Sequence, residues 1–173
     1  MPRRIAIAGV SGAGKSTFAA RLADRHELRY QELDELHHGP GWSVLPDFVD
    51  KVERLTAEPA WVTEWQYHQV RTMIAERADT LIWLDYPISL VMARVIRRTV
   101  RRSLRREELW NGNVEPPLRT FFTDRNHIIR WAWRTRRHWT AEVSRIAGLR
   151  PELRVIRLAD PAAARRYLGD PRH

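Results

Sequence analysis

Gly9–Thr17 reads Gly-Val-Ser-Gly-Ala-Gly-Lys-Ser-Thr and matches the phosphate-binding pattern G-x-x-x-x-G-K-(S/T). An apolar run at Arg4–Ala8 precedes it and an amphipathic segment from Phe18 follows it, which predicts the strand–loop–helix context that the motif needs. Glycines allow a tight turn whose successive backbone N–H groups point at one anion, and the start of a helix adds its positive dipole end. The pattern therefore predicts a site for nucleotide phosphates.

The polar positions of this loop have predicted tasks. Lys15 would reach the β- and γ-phosphates of a nucleotide as a point charge, and Ser16 would offer its hydroxyl to Mg²⁺. We therefore expect ATP and Mg²⁺ as cofactors. The residues predicted to bind them are Gly9, Ser11, Gly12, Ala13, Gly14, Lys15, Ser16 and Thr17.

Length and composition are typical of one folded domain. The chain has 173 residues, 43% of them hydrophobic, so we expect a single core over residues 1–173. It has no Cys, and its apolar runs are too short for a membrane span or for the core of a signal peptide. We expect a cytoplasmic protein without disulfides.

The charge balance is strongly basic. The net charge is +9, and of the 30 Lys and Arg residues only Lys15 and Lys51 are lysine. Arginine binds phosphate in a two-pronged geometry, so a phosphate-rich partner is one explanation. A GC-rich gene that encodes Arg in place of Lys is the other, and the composition leaves both open.

Hydrophobic patterning alternates strands with helices, which predicts an α/β fold with a parallel sheet. The predicted strands are about Arg4–Ala8, Leu28–Leu33, Trp61–Thr63, Thr80–Leu84 and Leu153–Leu158. The predicted helices are about Lys15–Arg25, Pro46–Thr56, Gln69–Ala78, Pro87–Arg106, Leu118–Ile146 and Pro161–Leu168. Between the two long helices, Glu107–Pro117 has the Asn, Gly and Pro residues of a loop, and we expect a lid-like flap at about residues 105–118.

Acidic residues stand at the ends of three predicted strands, at Asp34, Glu64 and Asp85. The carboxyl ends of parallel strands meet at the edge of the sheet that also carries the phosphate loop. Phosphoryl transfer needs one carboxylate near Mg²⁺ and another near the acceptor, and we predict these roles for Glu64 and Asp34. Asp85 has two interpretations, a site residue or the cap of the next helix.

The helix predicted from Pro87 is rich in arginine. Arg94, Arg98, Arg101 and Arg105 fall on one stripe, where like charges repel unless something compensates them. The phosphates of ATP would do so, and arginines also stabilise the charge of a transferring phosphoryl group. We predict this use for Arg94 and Arg98, with a solvated face as the alternative.

Tryptophans are interleaved with arginine in the second half of the chain, at Trp110, Trp131, Trp133 and Trp139. This combination can bind single-stranded nucleic acid through stacking and charge. We prefer the interpretation that these residues pack a helix onto the core. His37-His38 is assigned to a polar loop, because no third metal ligand lies at a usual spacing.

The sequence resembles the P-loop kinase group that includes adenylate kinase, shikimate kinase and gluconate kinase, along nearly the whole chain. Its more specific segments resemble the small bacterial adenylate-kinase-like or DNA-topology-modulation proteins. These segments are Leu33–His37 followed by Pro40–Trp42, Leu84–Pro87 leading into Arg94 and Arg97-Arg98, and Arg106–Asn113. The resemblance implies a three-layer P-loop fold with a parallel five-stranded sheet in the order 2-3-1-4-5, an acceptor region after strand two and a helical lid insertion.

The resemblance also implies roles for single residues. Arg94 and Arg98 match lid-side arginines near the adenine and the phosphates, and Pro161 lies in a turn that matches the adenine-side loop. Strand three neighbours strand one in such kinases, which implies that Glu64, and not Asp85, is the second acid beside the metal. The residues predicted for the acceptor are Asp34, Trp42, Tyr67 and Arg71.

One segment departs from the relatives, which usually have Asp-Gly-Asn-Tyr after strand three. This chain has Glu64-Trp65-Gln66-Tyr67. Glu keeps the charge on a longer arm, and we expect Trp65 to add bulk beside the acceptor site. The lid signature of adenylate kinases is not recognisable, so adenylate is not predicted as the acceptor.

The sequence thus predicts a kinase that transfers the γ-phosphoryl group of ATP to a small acceptor, with a nucleotide as one candidate. Its predicted catalytic residues are Lys15, Asp34, Glu64 and Arg98. The alternatives are a nucleotide-dependent nucleic-acid-binding or regulatory protein and an ATPase switch. The sequence predicts no oligomeric state.

Overall fold

Five parallel strands form one sheet in the order β2-β3-β1-β4-β5, in a computed structural model that describes residues 2–105 and 128–169. The strands are β1 (Arg4–Ala8), β2 (Tyr30–Gln31), β3 (Trp61–Glu64), β4 (Thr80–Leu84) and β5 (Arg154–Leu158). Parallel neighbours require crossover connections, and helices supply them. The α/β class and the strand order are as the sequence and its resemblance predict.

Helices flank this sheet. They are α1 (Lys15–His26), α2 (Leu33–His37), α3 (Phe48–Ala57), α4 (His68–Arg77), α5 (Ile88–Arg105), α6 (Ile128–Leu149) and α7 (Pro161–Tyr167), with a 3₁₀ turn at Pro40–Trp42. The predicted flap, Glu107–Pro117, lies outside the described residues, as does the start of the helix predicted from Leu118. Among the described helices, none is both long enough and apolar enough to span a bilayer.

The second strand is shorter than predicted. Only Tyr30 and Gln31 pair with β3, and Leu33 already begins α2. The backbone N–H of Leu33 donates to Glu64 Oε2 at 3.2 Å instead of continuing the ladder, and acidic side chains in the first turn suit the positive end of the helix. Asp34 therefore lies in the first turn of a helix and not at the end of a strand, which corrects the sequence-based expectation.

The helix predicted to begin at Pro46 begins slightly later in the chain. Asp47 is the N-cap residue of α3, which begins at Phe48. Phe48, Val52 and Leu55 of α3 are buried, and their spacing puts them on one face of the helix.

The core lies around the central strands. Ile5–Ala8 of β1 and Leu81-Ile82 of β4 are fully buried, because these strands are covered on both faces as parallel strands usually are. Helix α1 buries Phe18, Ala19, Leu22 and Ala23, whose spacing forms one face. The helix that follows the phosphate loop is thereby fixed against the sheet.

Candidate active site

The phosphate loop depends on glycine at two positions for different reasons. Gly14 is the N-cap residue of α1 and has a left-handed backbone, with φ 93° and ψ 29°. Gly12 has φ 85°, and a Cβ atom there would lie 2.2 Å from Val95 Cγ2 of α5. A side chain at Gly12 would therefore strain the backbone and collide with α5, so the glycine loop and the arginine-rich helix are packed as one unit.

Lys15 lies in the first turn of α1 with a buried side chain, and its Nζ is 3.5 Å from the carbonyl oxygen of Val10. Burial lowers the pKa of Lys15, while the carboxylates of Glu64 and Asp34 act in the opposite direction. A nucleotide phosphate beside this ammonium would favour its charged form.

Ser16 and Glu64 are in direct contact. The pairing of β1 with β3 puts Ile7 opposite Glu64, so the end of β3 lies next to the phosphate loop. Ser16 Oγ donates to Glu64 Oε1 at 2.6 Å, and Glu64 is 1% exposed. Burial raises the pKa of Glu64, and the charge of Lys15 opposes that shift. The structure thus brings the predicted metal-side pair together, and its role stays a prediction.

The Ser16–Glu64 pair suits Mg²⁺. A hydroxyl and a carboxylate are oxygen ligands, and Mg²⁺ usually takes only one or two protein ligands beside phosphates and water. In residues 2–105 and 128–169, no group of three or more His, Asp and Glu side chains is arranged to hold a metal ion by itself. A metal at this site would therefore depend on the nucleotide for its remaining ligands.

Asp85 has a partner that the sequence did not suggest. Arg157 of β5 contacts Asp85 Oδ2 through Nε at 2.8 Å and through a terminal nitrogen at 2.6 Å. The partner is 72 residues away along the chain, so no local pattern indicates it. Asp85 forms an ion pair on the β4–β5 side, whereas Glu64 contacts the phosphate loop.

Side chains from two loops meet at Asp34. Asp34 Oδ1 accepts hydrogen bonds from Gln66 Nε2 and from the Tyr67 hydroxyl, both at 2.6 Å. The Tyr67 hydroxyl is also 3.1 Å from His38 Nε2. The Trp42 ring lies edge-on to His38, with ring centroids 5.2 Å apart, and is 37% exposed. The predicted acceptor residues Asp34, Trp42 and Tyr67 are thus connected.

Three members of this cluster were missed by the sequence analysis. Gln66 binds Asp34 directly, and His37 stacks on Tyr67 with ring centroids 4.0 Å apart. His38 was placed in a polar loop without a partner. Two adjacent histidines between two predicted elements were the sequence signal that could have indicated this cluster. Their partner Tyr67, however, is 29 residues beyond His38.

Arg94 and Arg98 of α5 both reach the phosphate loop. Arg94 donates to the carbonyl oxygen of Ala13 at 3.1 Å, and its guanidinium lies 5.4 Å from the centroid of the Tyr86 ring. A terminal nitrogen of Arg98 is 3.5 Å from Ser11 Oγ, and the charge of Arg98 contributes to the lowered pKa of Lys15. Arg97 and Arg101 are exposed. The helix therefore presents Arg94 and Arg98 to the loop, and their use in binding phosphates stays a prediction.

Arg71 is tied to α6. Its guanidinium lies 5.9 Å from the Trp65 ring centroid and 5.6 Å from that of Trp139, and one nitrogen is 3.6 Å from Glu142 Oε2. Trp65 Nε1 donates to the carbonyl oxygen of Arg71 at 2.8 Å. These contacts hold the Arg71 side chain against α6. They do not indicate an acceptor-binding role, which stays a prediction.

Trp65 is fully buried and packs against Trp139, with ring centroids 5.8 Å apart. Its ring is accommodated in the core by α6, and the expectation that it adds bulk beside the acceptor site stays a prediction. The packing interpretation holds for Trp139. Trp110 and the side chains of Trp131 and Trp133 lie outside the described part of the chain.

Pro161 is the first residue of α7, and Asp160 before it caps this helix by accepting a hydrogen bond from the Ala163 N–H at 2.8 Å. Burial raises the pKa of Tyr86, and the charges of Arg94 and Asp160 also act on its hydroxyl. Of these two charges, that of Arg94 lies over the Tyr86 ring, and that of Asp160 directly precedes Pro161.

A glycine loop after β1, leading into α1 beside a parallel sheet in the order 2-3-1-4-5, defines the P-loop kinase fold. Among solved structures, the shikimate kinase from Aquifex aeolicus is similar with a TM-score of 0.53 and 13% sequence identity, covering 95% of this chain and 93% of that one. The gluconokinase from Sinorhizobium meliloti is similar with a TM-score of 0.51 and 18% identity, covering 98% and 95%. The shikimate kinase from Acinetobacter baumannii has a TM-score of 0.51 at 18% identity, covering 96% and 89%.

These likenesses establish the fold. No protein-family model matches the sequence, and no curated protein is significantly similar to it.

Proposed function

We propose that this protein is an ATP- and Mg²⁺-dependent kinase that transfers the γ-phosphoryl group to a small-molecule acceptor. The observation that carries the proposal is the 2.6 Å hydrogen bond between Ser16 and the buried Glu64, beside the buried Lys15. A phosphate loop, a lysine and a metal-side carboxylate are the parts that phosphoryl transfer needs. A single domain over residues 1–173 and a cytoplasmic location belong to the same proposal.

In this proposal the loop amides and Lys15 bind the β- and γ-phosphates. Ser16 and Glu64 hold Mg²⁺, which when bound neutralises charge on the phosphates. Arg94 and Arg98 approach the loop from α5 and stabilise the charge of the transferring group. A bond forms between the acceptor oxygen and the γ-phosphorus while the bond to the β–γ bridging oxygen breaks, and ADP leaves.

The chemistry of Asp34 favours a hydroxyl as the acceptor group. Gln66 and Tyr67 both donate to Oδ1 of its carboxylate. An ionised carboxylate can take the proton of a hydroxyl, whereas it would repel the negative oxygens of a phosphate. The similar solved proteins are a shikimate kinase, a gluconokinase and a sugar kinase, which also points to a small hydroxyl compound. A nucleoside monophosphate remains the narrower candidate suggested by the resemblance.

A phosphoryl-transfer screen tests the proposal. Protein, Mg²⁺ and γ-labelled ATP are incubated with sugars, polyols, sugar acids, nucleosides and nucleoside monophosphates. We expect a labelled acceptor with the wild type and with Lys51→Ala, which removes the only other lysine, a partly exposed one paired with Asp47. Lys15→Ala is expected to lose labelling and ATP binding. The kinase proposal fails if Lys15→Ala binds ATP–Mg²⁺ as well as the wild type does.

A nucleotide-dependent nucleic-acid-binding or regulatory protein is the second candidate. It rests on the net charge of +9 and on the narrower resemblance to DNA-topology-modulation proteins. Slow ATP hydrolysis in the screen with no labelled acceptor would favour this candidate or an ATPase switch.

A further inference from the structure

A row of polar side chains leads away from Asp34 through Tyr67. His37 Nδ1 lies 3.4 Å from His38 Nδ1, His38 Nε2 lies 3.1 Å from the Tyr67 hydroxyl, and that hydroxyl lies 2.6 Å from Asp34 Oδ1. None of these contacts involves the phosphate loop. The row joins α2 and the residue after it to the start of α4.

The number of protons on these groups determines which of them donates in each hydrogen bond of the row. The ionised carboxylate of Asp34 has no proton, so the single Tyr67 O–H is the donor between these two groups. The tyrosine oxygen can then only accept from His38, which requires the His38 proton on Nε2. A neutral His38 consequently has a bare Nδ1, which accepts from Nδ1–H of His37. Each member donates toward Asp34.

The surroundings hold this arrangement in place. The Tyr67 ring stacks on His37 with an interplanar angle of 14° and meets the edge of Phe48 at a centroid distance of 5.3 Å. Burial lowers the pKa of both His37 and His38, which favours neutral imidazoles, while the charge of Asp34 acts in the opposite direction. The Tyr67 backbone has φ 57° and ψ 108°, a conformation that non-glycine residues rarely adopt. Such conformations persist only where neighbouring contacts impose them.

We infer that His38 and Tyr67 are positioning residues that fix the rotation of the Asp34 carboxylate, so that Oδ2 faces the hydroxyl of the phosphoryl acceptor. This inference rests on the proposed function. Gln66 and Tyr67 both bind Oδ1, and two donors on one oxygen set the plane of the carboxylate. The acceptor hydroxyl gives its proton to Oδ2 as its oxygen bonds to the γ-phosphorus. In this scheme His38 and Tyr67 act through Asp34, so Tyr67 orients the carboxylate in place of the direct acceptor contact predicted for it from the sequence.

The tautomer of His38 tests the row without any acceptor. Nitrogen-15 spectra of the histidine rings at pH 7 distinguish a proton on Nε2 from one on Nδ1. We expect His38 to be neutral with its proton on Nε2, and we expect Tyr67→Phe to shift the His38 signals while the signal of the exposed His68 stays unchanged. A proton on Nδ1 of His38, or His38 signals that ignore Tyr67→Phe, would overturn the inference.

Kinetics with the acceptor identified by the screen test the positioning role. Tyr67→Phe keeps the ring and removes only the hydroxyl, so we expect kcat to fall about 10- to 100-fold, as for other groups that orient a ligand or catalytic group, with the KM for ATP unchanged. His38→Gln retains a donor near Nε2 and should restore most of kcat, whereas His38→Leu should behave like Tyr67→Phe. Equal kcat values for His38→Gln and His38→Leu would contradict the role. A screen without any labelled acceptor would count against the proposed function, whereas the histidine spectra decide the hydrogen-bond row independently.

Discussion

Glu64 and Asp85 are two carboxylates with the same sequence context, an acid at or just after the end of an apolar strand. Their surroundings separate them. Glu64 is buried and accepts from Ser16, while Asp85 pairs with Arg157, whose side chain is 62% exposed. A search for apolar residues followed by Asp selects Leu81–Asp85, yet Glu64 is the carboxylate that contacts the phosphate loop, through Ser16.

Paired substitutions at these two acids test that choice. Glu64→Gln keeps the size and removes the charge next to Ser16, so we expect phosphoryl transfer to fall about 10- to 100-fold. Asp85→Asn weakens an ion pair with an exposed partner and should leave transfer unchanged, at a stability cost below about 1 kcal/mol. Initial rates and thermal unfolding of both variants provide the check. The assignment is wrong if Asp85→Asn is the variant that loses transfer.

Helix α6 shows how a distant element supports the site. Trp139 and Glu142 of this helix contact the Arg71 side chain. The backbone carbonyl of Arg71 accepts a hydrogen bond from Trp65, which follows Glu64 in the chain. The segment from Glu64 to Tyr67 is therefore anchored to α6 on one side and to Asp34 on the other. Trp65 stands where the resemblance led us to expect glycine, and Trp139 of α6 packs against it.

Two arginines that share Glu142 allow a matched test of this anchor. Arg71 is 15% exposed and its guanidinium contacts two indole rings, while Arg145 is 49% exposed. We expect Arg71→Ala to reduce the free energy of unfolding by about 2 kcal/mol, because it removes desolvated cation–π contacts. Arg145→Ala should cost less than about 1 kcal/mol. Urea unfolding measures both, and similar losses for the two variants would show that the anchor contributes little.

At helix α2, His37 and the following His38 lead us to expect that the stability of the fold depends on pH. Burial lowers the pKa of His37 and His38 below the ordinary value of 6.5, so below that pH the unfolded chain binds more protons than the folded chain. Stability therefore rises with pH in this range and is lost as the pH falls from 6.5 through the lowered values.

Melting temperatures between pH 7.5 and pH 5 measure this dependence, in a range chosen to bracket the ordinary histidine pKa of about 6.5. We expect the wild type to lose more stability on acidification than His37→Phe/His38→Gln, in which neither position can take up a proton. His68→Gln, at an exposed position of α4, is the control and should follow the wild type. Parallel curves for the double variant and the wild type would contradict the expectation.

At the scale of the whole molecule, the net charge of +9 is the feature that supports nucleic-acid binding as an alternative to the kinase interpretation. Arg94 and Arg98 face the phosphate loop, and Trp139 is buried in the core, so these residues are used within the fold. Exposed arginines such as Arg97 contribute to a general positive field. Such a field attracts nucleic acid without sequence preference, and salt screens it.

Oligonucleotide binding as a function of salt tests this view. We expect weak binding of single-stranded DNA at low salt that is lost by about 0.15 M, where the Debye length is about 8 Å. Lys15→Ala should not change it, since the lysine is buried in the loop. Binding that survives physiological salt and responds to ATP would instead favour the nucleic-acid candidate.

Local patterns in the sequence determined the class of fold and the nucleotide end of the site. Gly9–Thr17 specifies a loop by backbone conformation, and the apolar runs specify strands by burial, so both are determined by neighbours along the chain. The order of the strands came from the resemblance. The prediction of a metal-side role for Glu64 followed from that order, because β3 lies next to β1.

Tertiary structure alone decided the partners of the other side chains. Asp34 with Tyr67, Asp85 with Arg157, and Trp65 with Trp139 are contacts between residues 33, 72 and 74 positions apart. The sequence cannot indicate such pairs, because a side chain's partner depends on how whole elements pack and not on its own neighbours. For the same reason the sequence did not indicate that β2 is short and that Asp34 lies on α2. The Leu33 N–H binds Glu64, a partner that only the packing of the strands brings close.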